Sequence, residues 1–370
     1  MLTLTTKRSI AHYLIARGLL TRKEIVDGSL TIVDRTSRHR NFLVLRGSQP
    51  GYFVKHIQPG QFSSAQTLER EAACYRLIHS EPKFSPLSPL VPRLYAYDPV
   101  NHVLVLELLS EAENLGAYQT RENKYPEAIA GRLGATLGGY HLATRDALTN
   151  GLAARAATLS RAVPWILEFH RSQPETLSMI SPANAQMYSV LNKYPGFARK
   201  LDEIRESWNA GTLIHADMKF ENCALYYPQG KMADPEMKIV DWEMAGFGDP
   251  AWDVGSILQA YLNCWLLSIP PTPGASPEQV ESQAKVPLSS IQPAIQAFWR
   301  AYAQTMRLEE TEASGQLRRC VAHAAARMLQ TVFEWMHHYQ QLTPNAAFQL
   351  QVSLNMLERP DEAIPVLLGL

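Results

Sequence analysis

The stretch IHADMKFEN (214–222), followed closely by KIVDWE (238–243), decides how this chain is read. His215, Asp217 and Asn222 form the pattern H-x-D-x-x-x-x-N, and Asp241 ends an apolar, β-prone run. These are the residue types that phosphoryl transfer needs. One carboxylate orients an attacking hydroxyl and accepts its proton. An amide oxygen and a second carboxylate suit Mg²⁺, which prefers hard oxygen ligands. The polar segment PQGKMADPE (228–236) lies between two short predicted strands, about 223–227 and 237–241. A hairpin of that kind returns the chain so that Asp241 reaches the metal held by Asn222.

Working outward, LTIVD (30–34), NFLVLR (41–46) and YFVKH (52–56) are short β-prone runs, with SQPG (48–51) read as the turn between the last two. QTLEREAACYRLIH (66–79) reads as a helix, and RLYAYD (93–98) and HVLVLELL (102–109) as strands joined by a turn at DPVN. The order strand-strand-strand-helix-strand-strand predicts a small antiparallel sheet with one packed helix. Lys55 stands near the end of the third strand. Glu71 shares a helical face with Leu68, Tyr75 and Ile78, whereas Glu69 falls on the solvated side. A carboxylate on a buried face is costly unless paired. Lys55 is the natural partner, and the pair would hold an ammonium against nucleotide phosphates.

In this order, VKH, LEREAACYRLI, LVLELLS (104–110), IHADMKFEN, IVDWE and GDPAWDVGSIL (248–258) resemble the aminoglycoside phosphotransferase and choline kinase-like family of the protein-kinase-like superfamily. The resemblance runs from about residue 30 to 266. It implies an α+β, bilobal protein-kinase-like fold, with a small antiparallel N-lobe sheet carrying one helix and a large, mainly helical C-lobe. It implies ATP and Mg²⁺ as cofactors, bound between the lobes. By position, Asp217 would be the catalytic base, and Asn222 and Asp241 the metal ligands. Lys55, positioned by Glu71, would contact the phosphates. The backbone of Glu107, Leu108 and Leu109 would form the adenine hinge. Asp253 would brace the catalytic loop, and His215 would shape it.

Two departures from the family pattern stand out. The loop DRTSRHRN (34–41) holds no glycine, so a Gly-rich phosphate cradle is absent; Ser37 and Asn41 would offer polar contacts instead, and Arg38, His39 and Arg40 positive charge. Lys219, two residues after the base, would stabilise charge on the transferred group. Trp242 and Glu243 stand where protein kinases carry Phe-Gly, so a regulatory flip of that segment is not expected.

The domain division read from the sequence is an N-terminal helical extension (1–28), a nucleotide-binding lobe (29–109) and a helical lobe (110–370), the last carrying the catalytic loop 215–222 and the DWE segment 241–243. Helices are expected over 7–20, 126–145, 176–192, 195–208, 252–266, 289–306, 312–341 and 344–357, and a Pro-rich surface loop over 269–279. Thr21 to Glu24 has the form of a capping box.

Composition bounds the rest. With 370 residues, 46% hydrophobic and 19% charged, the chain can bury a sizeable core. Lys plus Arg and Asp plus Glu both number 35, a formal charge of zero that argues against a dedicated nucleic-acid binder. The apolar run Val254–Ile269 is short and contains Ser256, Gln259 and Asn263, so it reads as a core helix and not a membrane span. Four widely separated cysteines form no CxxC pair and suit a reducing, cytoplasmic location. Taken singly, each site residue has a plainer reading: a strand-end lysine is normally solvated, a loop aspartate is normally a cap, and Asp249 before Pro250 is read as a helix N-cap. The acidic run Glu309, Glu310, Glu312 reads as a solvated helix start. Their joint order selects transfer of a γ-phosphoryl group to a hydroxyl of a small molecule, an antibiotic or a metabolite. Two alternatives stand beside it: a kinase acting on Ser or Thr of a peptide or natural-product precursor, which Lys219 favours, and a nucleotide-binding pseudokinase or scaffold, disfavoured because no catalytic position is lost.

Overall fold

The computed structural model describes residues 6–35, 40–58, 61–145, 157–227, 235–270 and 283–370. Among the described residues, the α-helices of five or more residues are α1 (Lys7–Ala16), α2 (Arg22–Val26), α3 (Phe62–Ser80), α4 (Leu115–Glu122), α5 (Glu127–Thr144), α6 (Pro182–Lys193), α7 (Pro195–Glu206), α8 (Pro250–Leu266), α9 (Leu288–Met306), α10 (Glu310–Trp335) and α11 (Pro344–Glu358). The strands are β1 (Leu30–Asp34), β2 (Arg40–Arg46), β3 (Gln49–His56), β4 (Leu94–Asp98), β5 (Val103–Glu107), β6 (Glu113–Asn114), β7 (Thr212–Ile214), β8 (Cys223–Tyr226), β9 (Glu236–Ile239) and β10 (Gly246–Gly248). They sort into two compact units. The first comprises residues 1–118, 151–160 and 221–245; the second comprises 119–150, 161–220 and 246–370.

The first unit is built on a five-stranded antiparallel sheet of order β1-β2-β3-β5-β4. Side chains alternate across a strand. One face therefore carries Phe42, Val44, Val54, Val103 and Val105, all fully buried, and α1 packs Ile10, Tyr13 and Leu14 onto it. Those three positions share one helical stripe. Polar contacts fasten the cover. Arg17 and Tyr13 reach the carboxylate of Asp98, Tyr52 donates to the Leu19 carbonyl at 2.9 Å, and Arg46 holds Glu24 at 2.7 Å. The bond from Arg46 keeps the Glu24 carboxyl down to about 2. The capping box at Thr21 and Glu24 is present, with the Thr21 amide on Glu24 at 2.7 Å.

The opposite face of the sheet carries Asn41, Lys55 and Leu104, which are in register across β2, β3 and β5. On α3, Leu68, Glu71, Tyr75 and Ile78 are all buried and Glu69 is exposed, as the helical spacing predicts. The predicted turn at 48–51 is displaced. The hairpin pairs Arg46 with Gln49, so Gly47 and Ser48 form the tip, and Gly47 supplies a φ of 57°. Gly51 lies within β3, where a Cβ would meet the Val44 carbonyl oxygen at 2.5 Å. It serves close approach rather than turning. The hairpin of β8 and β9 pairs Cys223 with Ile239, and β6 adds to its edge at Leu225.

The second unit is helical apart from the short β7–β10 pair. The predicted helix over 176–192 is divided: a four-residue helix at Pro174–Leu177 is followed by α6, which starts at Pro182. Ser181 caps it by accepting from the Asn184 amide at 3.1 Å, and proline at the first position fixes the start. The predicted helix over 312–341 stops at Trp335, with a 3₁₀ turn at 336–338. Most of the predicted loop 269–279, and residues 228–234 of the polar segment, lie outside the described residues. The run Val254–Ile269 is largely α8, a core helix with Val254, Ile257, Leu258 and Leu262 fully buried. Among the described residues no helix is long and apolar enough to cross a membrane.

Helices α5 and α9 meet through glycine. A Cβ on Gly134 would stand 2.1 Å from the Phe298 carbonyl oxygen, and backbone has no rotamer to move into. Gly134→Ala is expected to cost about 3 kcal/mol, the upper part of the overpacking range. Urea denaturation would measure it, and an unchanged midpoint would refute so close a crossing.

A second packing feature is pH-sensitive. His323 on α10 is buried, with its ring stacked 5.8 Å from Trp208. Burial, opposed by Asp249 and aided by Arg319, pushes the imidazole down to about 4. The unfolded chain binds this proton below about 6.5 and the folded chain does not. Stability from this group is therefore full above pH 6.5 and falls as pH drops toward 4, by up to about 3 kcal/mol. Urea midpoints of wild type and His323→Phe are expected to converge as pH falls across that window; parallel profiles would exclude the histidine as the source.

Candidate active site

In the first unit, Lys55 gathers two carboxylates. Its Nζ lies 2.9 and 2.8 Å from the two oxygens of Glu71 and 2.6 Å from Oδ1 of Asp241. Lys55 and Glu71 are buried, whereas the Asp241 side chain is 38% exposed. Burial opposes the ammonium, but the two carboxylates outweigh it and hold Lys55 above its ordinary range. Burial pushes the Glu71 carboxyl up, Lys55 pulls it back, and Asp241 adds to the rise. An ammonium held by two carboxylates keeps its charge, which is what contact with phosphate requires.

The β8–β9 hairpin explains how Asp241 meets this pair. Asn222 precedes β8 and Val240 follows β9, and the Val240 amide donates to the Asn222 carbonyl at 2.9 Å. Trp242 is fully buried and donates from Nε1 to the Ile239 carbonyl at 3.0 Å, which anchors the turn. Asp241 adopts a left-handed conformation, φ 67° and ψ 53°. A non-glycine residue there stores strain of the kind found at functional sites. Asn41 is paired in register with Lys55, and its Oδ1 is buried with no partner among the described residues.

The segment Glu107–Leu109, expected as a hinge, divides its backbone groups. The Glu107 amide donates to Arg93 at 2.8 Å and the Leu108 amide to Gly51 at 3.1 Å, so both are taken up by the sheet. The Glu107 carboxylate holds Lys238 at 2.6 Å and the Arg93 amide at 3.1 Å. Leu109 stands past the end of β5, where its N–H is outside the strand ladder.

In the second unit, Asp253 organises the loop after β7. Its carboxylate accepts from the His215 amide at 2.7 Å and the Ala216 amide at 3.0 Å. Trp252 Nε1 donates to the Ala216 carbonyl at 3.1 Å. These bonds hold Ala216 at a φ of 66°, a conformation alanine does not adopt unaided. Asp253 is itself fully buried. Burial raises its carboxyl, but His141, His215 and Tyr140 outweigh this and keep it below the ordinary range. The Asp217 amide donates to Nδ1 of His215 at 3.3 Å.

The Asp217 side chain is held at both oxygens. Lys219 Nζ lies 2.6 Å from Oδ2, and Arg327 Nη2 lies 3.0 Å from Oδ1. Burial opposes the charge on Lys219, but Asp217 raises its affinity for the proton above the ordinary lysine range.

The sequence-predicted residues therefore fall into two groups. Lys55, Glu71 and Asp241 are in direct contact, with Asn222 at the neck of the same hairpin and Asn41 beside Lys55. His215, Asp217, Lys219 and Asp253 form the second group. Ser37, with Arg38 and His39, lies outside the described residues, and Arg40 opens β2. Asp249 caps α8 as read, accepting from the Ala251 amide at 3.0 Å. Glu309 and Glu312 form a capping box at the start of α10. Arg327 was not singled out from the sequence. Its signal was available: Arg319, His323 and Arg327 recur every four residues along α10, on the side that also buries Cys320 and Ala324.

A protein-kinase-like fold with an H-x-D-x-x-x-x-N loop and a lysine–glutamate–aspartate cluster defines a class of phosphate-transferring enzymes. The model of the phosphotransferase enzyme family (APH) matches residues 29–302, and the chain belongs to that family. Among solved structures it is similar to an ethanolamine kinase from Plasmodium vivax, at 12% identity over 96% of this chain and 91% of that one, with a TM-score of 0.58. A choline kinase from Cryptosporidium parvum Iowa II is 13% identical over 97% and 96% of the two chains, with a TM-score of 0.57. A glucosamine kinase in complex with glucosamine, ADP and inorganic phosphate is 16% identical over 96% and 84%, with a TM-score of 0.51. At these identities the likeness is one of fold. No curated protein sequence matches the chain.

Proposed function

We propose that the enzyme transfers the γ-phosphoryl group of ATP to a hydroxyl of a small molecule, with Mg²⁺ bound and Asp217 as the base. The observation that carries this reading is Lys55 in simultaneous contact with Glu71 and Asp241, three residues brought together from a strand, a helix and the end of a hairpin. An ion cluster of that make-up has a clear use in holding a charged nucleotide.

The donor set fits the metal. Among the described residues no three His, Cys, Asp or Glu side chains gather as a metal cage. Asn222 and Asp241 instead supply one amide and one carboxylate oxygen. Mg²⁺ is commonly held by one or two protein oxygens, with phosphates and water completing its shell. When bound, it neutralises charge on the β- and γ-phosphates.

The chain's own residues do the rest. Lys55 contacts phosphate oxygens, and Glu71 keeps it extended. Asn41 adds a polar contact beside it. The Leu109 N–H, with the Glu107 carbonyl, receives the adenine edge. Asp217 accepts a hydrogen bond from the acceptor hydroxyl and then its proton, and Lys219 offsets charge on the group in transit. In this assignment residues 29–109 serve the nucleotide, residues 1–28 support them, and the helical remainder takes the acceptor. The glucosamine, choline and ethanolamine kinases of similar fold motivate the small-molecule acceptor class. All four cysteines are free thiols, which suits a reducing, cytoplasmic location.

The test is a transfer assay with γ-labelled ATP and a panel of hydroxylated metabolites and antibiotics, run with Mg²⁺ and with excess chelator. Label is expected in an acceptor only when the metal is present. Nucleotide binding without transfer to any acceptor or to water would favour a binding protein instead.

A further inference from the structure

Arg327 lies beyond residue 302, where the family match ends, yet it touches the proposed base. It belongs to a stripe on α10. Arg319 reaches the Asp249 carboxylate and the Ser207 carbonyl, His323 packs on Trp208 and Trp252, and Arg327 reaches Asp217. The helix thus braces the cap of α8 and the loop after β7 along one line.

The two cations on Asp217 differ in kind. The Arg327 side chain is 4% exposed, and its second nitrogen lies 3.2 Å from Glu334, which also accepts from Gln330 at 2.9 Å. A planar guanidinium held at both ends has little freedom. Lys219 is 39% exposed on a flexible stem. Of the two, the exposed lysine beside Oδ2 is the more easily moved aside by an incoming hydroxyl, and the buried guanidinium on Oδ1 the less.

We propose that Arg327 is a positioning residue for the base: it fixes Oδ1 of Asp217, so that Oδ2 is the oxygen presented to the acceptor. This rests on the phosphotransfer reading above. In the step itself, the acceptor O–H proton passes to Oδ2 and the acceptor oxygen bonds to the γ-phosphorus. The bond from that phosphorus to the β,γ-bridging oxygen breaks, and ADP leaves. Arg327 neither gives nor takes a proton.

The test compares Arg327→Met, Arg327→Lys and Glu334→Gln with wild type. Arg327→Met is expected to lower kcat about 100-fold, the scale of a misplaced catalytic group. Acceptor KM and nucleotide affinity should stay within about twofold by the same reasoning. Arg327→Lys should recover about tenfold of the loss, since it restores charge without the fork. Glu334→Gln should lower kcat in the same direction by less. Wild-type kcat in a folded Arg327→Met, or a loss confined to KM, would overturn the proposal. If the methionine variant does not fold, the lysine and Glu334 variants decide: wild-type kcat in both refutes it. A double-mutant cycle of Asp217→Asn and Arg327→Met in urea unfolding needs no turnover. Non-additive effects support the hold on Oδ1 and additive ones refute it, even should the phosphotransfer reading fail.

Discussion

Asp217→Asn is expected to reduce phosphoryl transfer about 1,000-fold while leaving nucleotide affinity near wild type. The substitution is close to isosteric. It keeps an oxygen for Arg327 or Lys219, but removes the negative charge and the proton acceptor. General-base removal costs 10² to 10⁴ in rate. The loop itself should survive, because its shape depends on Asp253 bonding to the His215 and Ala216 amides and not on the Asp217 carboxylate. Steady-state kinetics beside equilibrium nucleotide binding separates the two effects. Undiminished turnover would remove Asp217 from the mechanism. Loss of binding together with turnover would mean that it supports the structure instead.

Asp241→Asn is expected to lower kcat by 10² to 10³ and to raise the Mg²⁺ concentration needed for half-maximal rate, the range for losing one preorganised charge contact. Asparagine is the informative replacement. It tolerates the left-handed backbone that Asp241 adopts, so a lost rate reports lost charge. Alanine would add backbone strain and confuse the two. Removing the carboxylate also leaves Lys55 with Glu71 alone. A magnesium titration superimposable on that of wild type would assign the metal to other residues.

Much of the first unit was legible because its signals are local. Five short β-prone runs bounded by turn residues, a helix with Glu71 on its apolar face and a lysine in the facing strand define one pairing, and the contact of Lys55 with Glu71 shows it. The loop containing Asp217 stands out in the sequence for a different reason: its residue types at that spacing have few other uses. What escaped the sequence has physical causes. The strands β7 and β10 have three residues each, too few for an alternating pattern to stand out. The hairpin tip was misplaced because Pro50 and Gly51 look like turn residues, whereas a positive φ at Gly47 turns the chain and Gly51 makes room for Val44. The start of α6 was set by Ser181 and Pro182, a cap that competes successfully with a continuous helical pattern. Arg327 was hidden because a single arginine in a long helix is normally solvated. Only the four-residue recurrence with His323 and Arg319 marks it, and nothing local says which loop it meets.

The packing of α1 on the sheet has a practical corollary. The family match begins at residue 29, beyond Ile10, Tyr13, Leu14 and Leu20, which pack on the sheet. A chain trimmed to that boundary would keep every motif residue and still leave Phe42, Val44, Val54 and Val105 wet. Its insolubility would then say nothing about catalysis, because the missing piece is a roof and not a tool.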